Sequence, residues 1–550
     1  MDTSAQGLIR LHDRMRQDTS GMFSLWEESA RMTQTRKLSA LTAAIARTTS
    51  VHQSFEPFDA GVVNSVATDC VGIHAAGCMS WILPSDGRWF KFSPQEEFKA
   101  DAVEEWLDKC TELTLTWLSA SNFYTKAHEL MMDRVITGTA ILTAEQGKRQ
   151  PLNFRVFDPG SYIIQDDEEG NADMLFRERQ LTAKQAVEKF GPDAVSAKIL
   201  ADANGDRPMN LHMFLQAVYR RPDAERQKPG SVGFEWAEKW VEVKEKKEVG
   251  ESGFQEQPFF GNRYLRWSEF SPWGVSPTMQ ALAEVRGVNY LDLLQSTQAE
   301  VAVSPRLIMP QGYQGVPDLR AGGITMGGLT RDSFPQEWLT GSRLDFADPL
   351  IQRKEAVIRA MYHAPLFEQF ATIERQITAT EVRAREAEKV ARFSPAFTQL
   401  TTELLYPLLE RVFMLLYRQG KLPIPPNEAR FMDAGGTVRI AFPRVVHTSR
   451  MALAIAALRK SALADAFALF APLANAGSDV LDNLDTDKAF REVTRADGIG
   501  DFLKGEDARD EFRQQRAEAQ QAAEQQAAMQ ELLKSNPIAE AGVDALRNAA

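Results

Sequence analysis

The chain has 550 residues, 44% of them hydrophobic and 25% charged, which is a folded, water-compatible composition with room for several domains. Its 75 acids against 63 bases give a net charge of −12, which argues against a protein that grips nucleic acid by neutralising phosphates. Three cysteines, Cys70, Cys78 and Cys110, form no CxxC pair, so neither a disulfide framework nor a structural zinc site is indicated. The first residues lack the basic-then-apolar order of a signal peptide, and no apolar run approaches the roughly 18 residues that span a bilayer. The chain is therefore read as neither exported by that route nor membrane-spanning.

Residues 1–135 carry apolar residues at three- and four-residue steps and are expected to be helical. From 136 to 270 the pattern changes to short alternating runs separated by Gly, Pro and Asp, which predicts antiparallel hairpins. Helix returns at Pro277, with Ser276 as its N-cap and the proline at the first position, where its missing N–H costs nothing. On that helix Met279, Leu282, Val285, Val288, Leu291 and Leu294 recur every three residues. Each step falls about 60° short of a turn, so the six positions wrap roughly 300° of the circumference. Such a helix needs packing on several sides, from its own domain or from other copies of the chain.

Residues 306–349 are rich in Gly and Pro and read as a small β-rich insertion. A second helix follows from Asp348 and is expected to stop near Pro365. Thr378 and Glu381 then form a T-x-x-E capping box, which starts a long helix interrupted by Pro395 and Pro407, where bends or breaks are expected. The chain ends in a helical run rich in Ala, Gln and Glu.

The search for chemistry is negative. Gly323 and Gly328 have the spacing of a phosphate loop, but Leu329 stands where its lysine belongs. Asp166, Asp167, Glu168 and Glu169, followed by Gly170 and Asn171, read as a solvated hairpin tip rather than a metal site. Asp485 and Asp487 imitate a calcium loop, but Phe490 and Ala496 occupy positions that need Gly and Glu. No nucleophile, base and orienter set is found; no catalytic residue, metal or cofactor is expected.

The order of elements is more specific than any single residue. A turn with "GVSP" opens a helix, an insertion interrupts, "IRAMYHAPLF" follows, and then comes "TATEVRAREAEKVARFSPAFTQLTTELLYPLL". Thr378, Ala379, Thr380, Glu381, Val382, Arg385, Glu388, Pro395, Glu403, Leu404, Leu405, Pro407 and Leu408 carry this pattern. It resembles the portal, or head-to-tail connector, proteins of tailed bacteriophages, most of all the short-tailed T7-like podovirus group, over about residues 20–530.

The resemblance implies an α+β, mainly helical subunit with wing, stem, clip and crown regions, assembled as a ring, usually a dodecamer, around a DNA channel at one capsid vertex. By carry-over, residues 1–275 are the N-terminal wing, 276–303 and 348–365 the stem helices, and 304–347 the clip. Residues 366–377 are the tunnel loop, 378–447 the long bent helix and C-terminal wing, and 448–550 the crown and C-terminal tail. The six apolar residues from Met279 to Leu294 would then pack the stem. Glu368, Gln369, Phe370, Ala371, Thr372, Ile373, Glu374, Arg375 and Gln376 would face the channel. Implied partners are double-stranded DNA in transit, the terminase packaging motor, the major capsid and scaffolding proteins and a tail adaptor, in a virion assembled in the host cytoplasm. Two rival readings stay open, an internal scaffold or core protein of a virion and a metal-dependent nuclease. The first predicts heterogeneous assemblies without a central hole, and the second metal-dependent cleavage of DNA.

Overall fold

The structure is a computed structural model of the chain and describes residues 2–33, 41–42, 62–98, 100–226, 228–303, 307–311, 316, 318, 336–337, 347–368, 379–432, 438–440, 442–455, 487, 490–491, 494 and 506–535. The fold is a mixture of helices and antiparallel strands, an α+β architecture. Its N-terminal part is helical, with α1 (Ala5–Asp18), α2 (Ser20–Thr33), α3 (Val66–Trp81), α4 (Asp101–Ala120) and α5 (Phe123–Thr137). One strand, β1 (Phe90–Ser93), lies among them and pairs antiparallel with Arg444–His447 from far along the chain.

Helix α5 ends at Gly138, whose φ of 76° is the left-handed cap that glycine adopts without strain. A Cβ here would also strike the Gly274 carbonyl, so two segments 136 residues apart meet through a pair of glycines. The hairpin region follows: β2 (Thr139–Gln146), β3 (Leu152–Phe157), β4 (Tyr162–Asp166), β5 (Ala172–Thr182), β6 (Leu211–Arg220), β7 (Trp236–Glu242), β8 (Lys247–Phe254) and β9 (Phe259–Arg263). Strands β4 to β8 form a five-stranded antiparallel meander, and β3-β2-β9 form a second sheet. Two short helices, α6 (Ala183–Phe190) and α7 (Ala197–Asn204), cover the meander, and a hairpin of β10 (Leu265–Ser268) and β11 (Ser271–Val275) leads out of the sheets.

The long helices come next: α8 (Pro277–Val303), α9 (Ala347–Met361), a single turn α10 (Ala364–Phe367), α11 (Ala379–Leu400) and α12 (Tyr406–Arg418). A large apolar core joins the early helices, the sheets and the starts of the long helices, with Trp26, Cys70, Ile141, Trp273, Val285 and Tyr362 among its buried members. The chain divides into two compact units, 1–98 with 103–455, and 99–102 with 456–550. Within the second, the helix Glu506–Ser535 holds Asp487 through Arg513, at 2.8 Å, so that acid is paired with arginine rather than set out as a calcium ligand.

Candidate functional site: the stem pair, the bend and the loop base

Helix α8 is 27 residues long, about 40 Å. Its start is fixed from both sides. Ser276 Oγ accepts the Met279 N–H at 2.9 Å and donates to the Ile136 carbonyl, while Thr278 donates to the Val135 carbonyl at 2.8 Å. Helix α9 returns antiparallel: Tyr362 meets Thr278 at 2.8 Å, Lys354 meets Glu284 at 2.6 Å, and Gln295 meets Asp348 at 2.6 Å. Of the six residues repeating every three positions, Leu282, Val285 and Val288 are buried, and Met279 and Leu291 are partly buried against the same core. Leu294 is 42% exposed. Beside it lie Tyr290 and Leu293, 62% and 51% exposed, and Leu350 and Val357 on α9 are exposed as well. The three-residue repeat does not include Tyr290 or Leu293; they continue the outward face.

The end of α9 departs from expectation. The helix ends at Met361, not at Pro365, because His363 takes a left-handed conformation (φ 55°) and breaks the register. Pro365 then lies in the first turn of α10, where proline is tolerated. The first residues of the expected loop are consequently packed: Leu366 is buried, and Phe367 presses on α3 so closely at Gly77 that a Cβ there would overlap its ring. Glu368 accepts from Arg359 at 2.9 Å. Gln369, Phe370, Ala371, Thr372, Ile373, Glu374, Arg375 and Gln376, like most of 304–347, lie outside the described residues.

Beneath this loop base His74 is fully buried among Tyr264, His363, Phe367 and Phe393. Burial pushes its pKa down to about 3, so the ring is neutral and Nδ1–H donates to the Tyr362 carbonyl at 2.7 Å. Nearby, Arg134 is fully buried; burial lowers its pKa, but a guanidinium remains cationic at any ordinary pH. It caps the Arg263 carbonyl and, at 2.7 Å, the Ala396 carbonyl of α11, with its cation over the Tyr264 ring.

The interruption expected in the long helix takes a defined form. Pro395 lies inside α11, which continues through it to Leu400. Between Leu400 and Tyr406 the chain widens into a π-turn, Thr401–Leu405, in which the Tyr406 N–H reaches back to the Thr401 carbonyl. The wider turn loosens the register just where Pro407 would clash with the carbonyl four residues back. Glu403 projects from this π-turn onto Arg263: one oxygen takes the Arg263 backbone N–H at 2.9 Å and the other its Nε at 2.7 Å. Arg263, 1% exposed, also binds Asp166 of the β4–β5 turn, which Arg266 reaches at 2.9 Å. Burial opposes the charge on Arg263, but Glu403 and Asp166 outweigh it and hold its pKa above the usual value. The four-acid run is thus a hairpin turn, with Gly170 at φ 83°, but its first member is not a solvated tip: Asp166 is an ion-pair partner of Arg263 and Arg266.

Arg134, Arg263 and Asp166 have no sequence signal as a set, since their contacts span 97 to 262 positions. Together these groups clamp α11 and the π-turn that follows it to two sheets; they present no nucleophile. Among the described residues no cluster of His, Cys, Asp or Glu is arranged to hold a metal, and no helix is long and apolar enough to cross a membrane.

The chain is 27% identical to a probable portal protein of Bordetella phage BPP-1 over 84% of this chain and 83% of that one. It is 24% identical to a portal protein of Salmonella phage epsilon15 over 80% of this chain and 79% of that one. Residues 5–501 match the family model described as bacteriophage head to tail connecting protein, so the match takes in the hairpin region and helices α8, α9, α11 and α12. The chain belongs to the bacteriophage head to tail connecting protein family, whose members are structural components of the virion rather than enzymes.

Proposed function

We propose that this portal protein works as the repeating subunit of a closed ring, a dodecamer, at one vertex of the capsid. The observation that carries the ring is the helix pair α8 and α9: Tyr290, Leu293, Leu294, Leu350 and Val357 are all exposed on these two adjacent helices. Several large apolar side chains exposed on one helix pair mark an interaction surface, and copies of the same chain are the partner that a connector supplies. In this reading residues 1–275 form the wing, 304–347 the clip that meets the packaging motor and later the tail adaptor, and 366–377 the loop that meets DNA. Contact with the major capsid and scaffolding proteins falls to the outer wing. The acidic balance of the chain suits a channel through which DNA slides instead of sticking. The bent helix ties the loop to the wing, with Glu403 and the Ala396 carbonyl as its two clamped points.

Images of the purified full chain test the ring. Closed particles with a central hole are expected at micromolar concentration; a monodisperse monomer, or heterogeneous aggregates without a hole, overturns the reading. The nuclease alternative has no support in the arrangement of Asp166, which is committed to Arg263 and Arg266.

A further inference from the structure

We propose that a strip of cations, Arg155, Arg177, Arg179 and Lys189, is a docking site for an acidic segment of a partner protein, whose carboxylates the arginines grip. The proposal does not depend on the ring reading. Strand register assembles the strip. Arg177 and Arg179 lie two apart on β5 and so share one face of the meander. Opposite Arg177 on β6 stands Gln216, and opposite Gln216 on β7 stands Trp240, over whose ring Lys189 of α6 holds its ammonium 3.2 Å from the centre. From the other side comes β3, an edge strand: the Arg177 guanidinium lies over the Phe157 ring at 3.6 Å, and Arg155, two residues earlier, is on the same side of β3. Cations from two sheets and a helix thus converge.

The two central charges have no acid to hold them. Arg177 and Arg179 are half-buried, yet neither has a hydrogen-bond or ion-pair partner among the described residues, and the Arg177 Nε–H is shut away from water. Arg155 reaches only Glu145, at 4.0 Å. Glu238, the acid on the same face, is taken by Gln216 at 2.6 Å, Ser252 at 2.6 Å and Trp240 at 3.0 Å. Burial, then the like charges of Arg179 and Arg155, lower the Arg177 pKa to about 10, and Asp158 and Glu145 offset this only in part. Arg263, by contrast, is held by Glu403 and Asp166. A carboxylate supplies what the strip lacks, because it accepts two N–H bonds from one guanidinium and cancels its charge. The shape favours a peptide over DNA. Duplex phosphates are met by cations that stand proud of the surface, whereas these arginines lie low between α6 and β3, where a narrow side chain enters and a broad double helix does not.

A labelled glutamate-rich peptide, titrated with the full chain and followed by fluorescence anisotropy, tests the strip. Binding that weakens with salt is expected, and Arg177→Gln with Arg179→Gln should reduce the affinity at least about ten-fold, while Arg444→Gln, at an exposed arginine on another strand, should change it by less than about two-fold. Arg177→Glu with Arg179→Glu should release the acidic peptide and take up a lysine-rich one. A second arm needs no variant: phenylglyoxal modifies accessible arginines, and mass spectrometry of the unaltered chain should show that the acidic peptide protects Arg155, Arg177 and Arg179 but not Arg444. No binding, or equal binding by the glutamine pair, would overturn the proposal. Protection by duplex DNA in place of the peptide would assign the strip to phosphates and overturn it as well. So would loss of self-association in the glutamine pair, which would make another copy of the chain the occupant.

Discussion

Asp166→Asn should loosen the contact between the β4–β5 hairpin and β9, and Asp167→Asn, one residue on, should not. Asp166 makes ion pairs with Arg263, which is 1% exposed, and with Arg266, which is 33% exposed. Amidation keeps an acceptor but removes the charge. Hydrogen bonds to charged groups contribute about 1.5–3 kcal/mol where neutral ones contribute about 1, so the buried contact loses roughly 1.5 kcal/mol. The Arg266 contact, near the surface, adds about 0.5 kcal/mol. A total of about 2 kcal/mol corresponds to a roughly thirty-fold larger opening constant. Asp167, by contrast, accepts the Asn171 N–H at 2.7 Å, a bond that an asparagine carbonyl can keep, so its replacement should change opening by at most about five-fold. Amide exchange read by mass spectrometry on peptides covering 166–171 and 259–266 measures both, since local opening governs exchange there. Equal exchange in the two variants would refute the claim that Asp166 is structurally committed.

Two further outcomes test the loop base and the bend. Gly77→Ala should cost about 1–3 kcal/mol in urea unfolding because its Cβ overlaps the Phe367 ring, and combining it with Phe367→Ala should recover part of the loss; strictly additive effects would mean that the two residues do not meet. Glu410→Gln should stabilise the protein at neutral pH. Burial, then Glu256 and Glu235, raise the Glu410 pKa, so above that value the folded state carries a carboxylate it disfavours, and the advantage of the amide should vanish as pH falls below the carboxyl range. A stability difference that persists unchanged at low pH would show that charge is not its cause.

The start of α8 could be read from "SPT" because capping is local: the groups that satisfy the first N–H atoms lie within three residues. Its repeat told how much of the circumference is apolar, but not which part meets the core, because that depends on α9 and on segments arriving from elsewhere. Pro365 misled for a related reason. A proline forbids continuing a helix but equally suits starting one, and the left-handed His363 two residues earlier decides between them. The acidic run was read by composition as wet, whereas Asp166 is drawn in by arginines 97 and 100 positions away. The motif residue Glu403 could be picked out from the family pattern, but its partner could not: the distance in sequence to Arg263 is 140.

The same contacts explain how a proline-containing helix is kept stiff. An unclamped helix with a π-turn and a proline would flex there, since both remove regular backbone bonds. Here the weakened turn is the segment that carries Glu403, and Arg263 binds it through backbone N–H and side chain at once, while Arg134 holds Ala396 about two turns earlier. Bending at Thr401–Leu405 would therefore separate a buried arginine from its carboxylate, a loss of about 3–5 kcal/mol for a pair of this kind. Helices α11 and α12 are accordingly held to the two sheets as one piece.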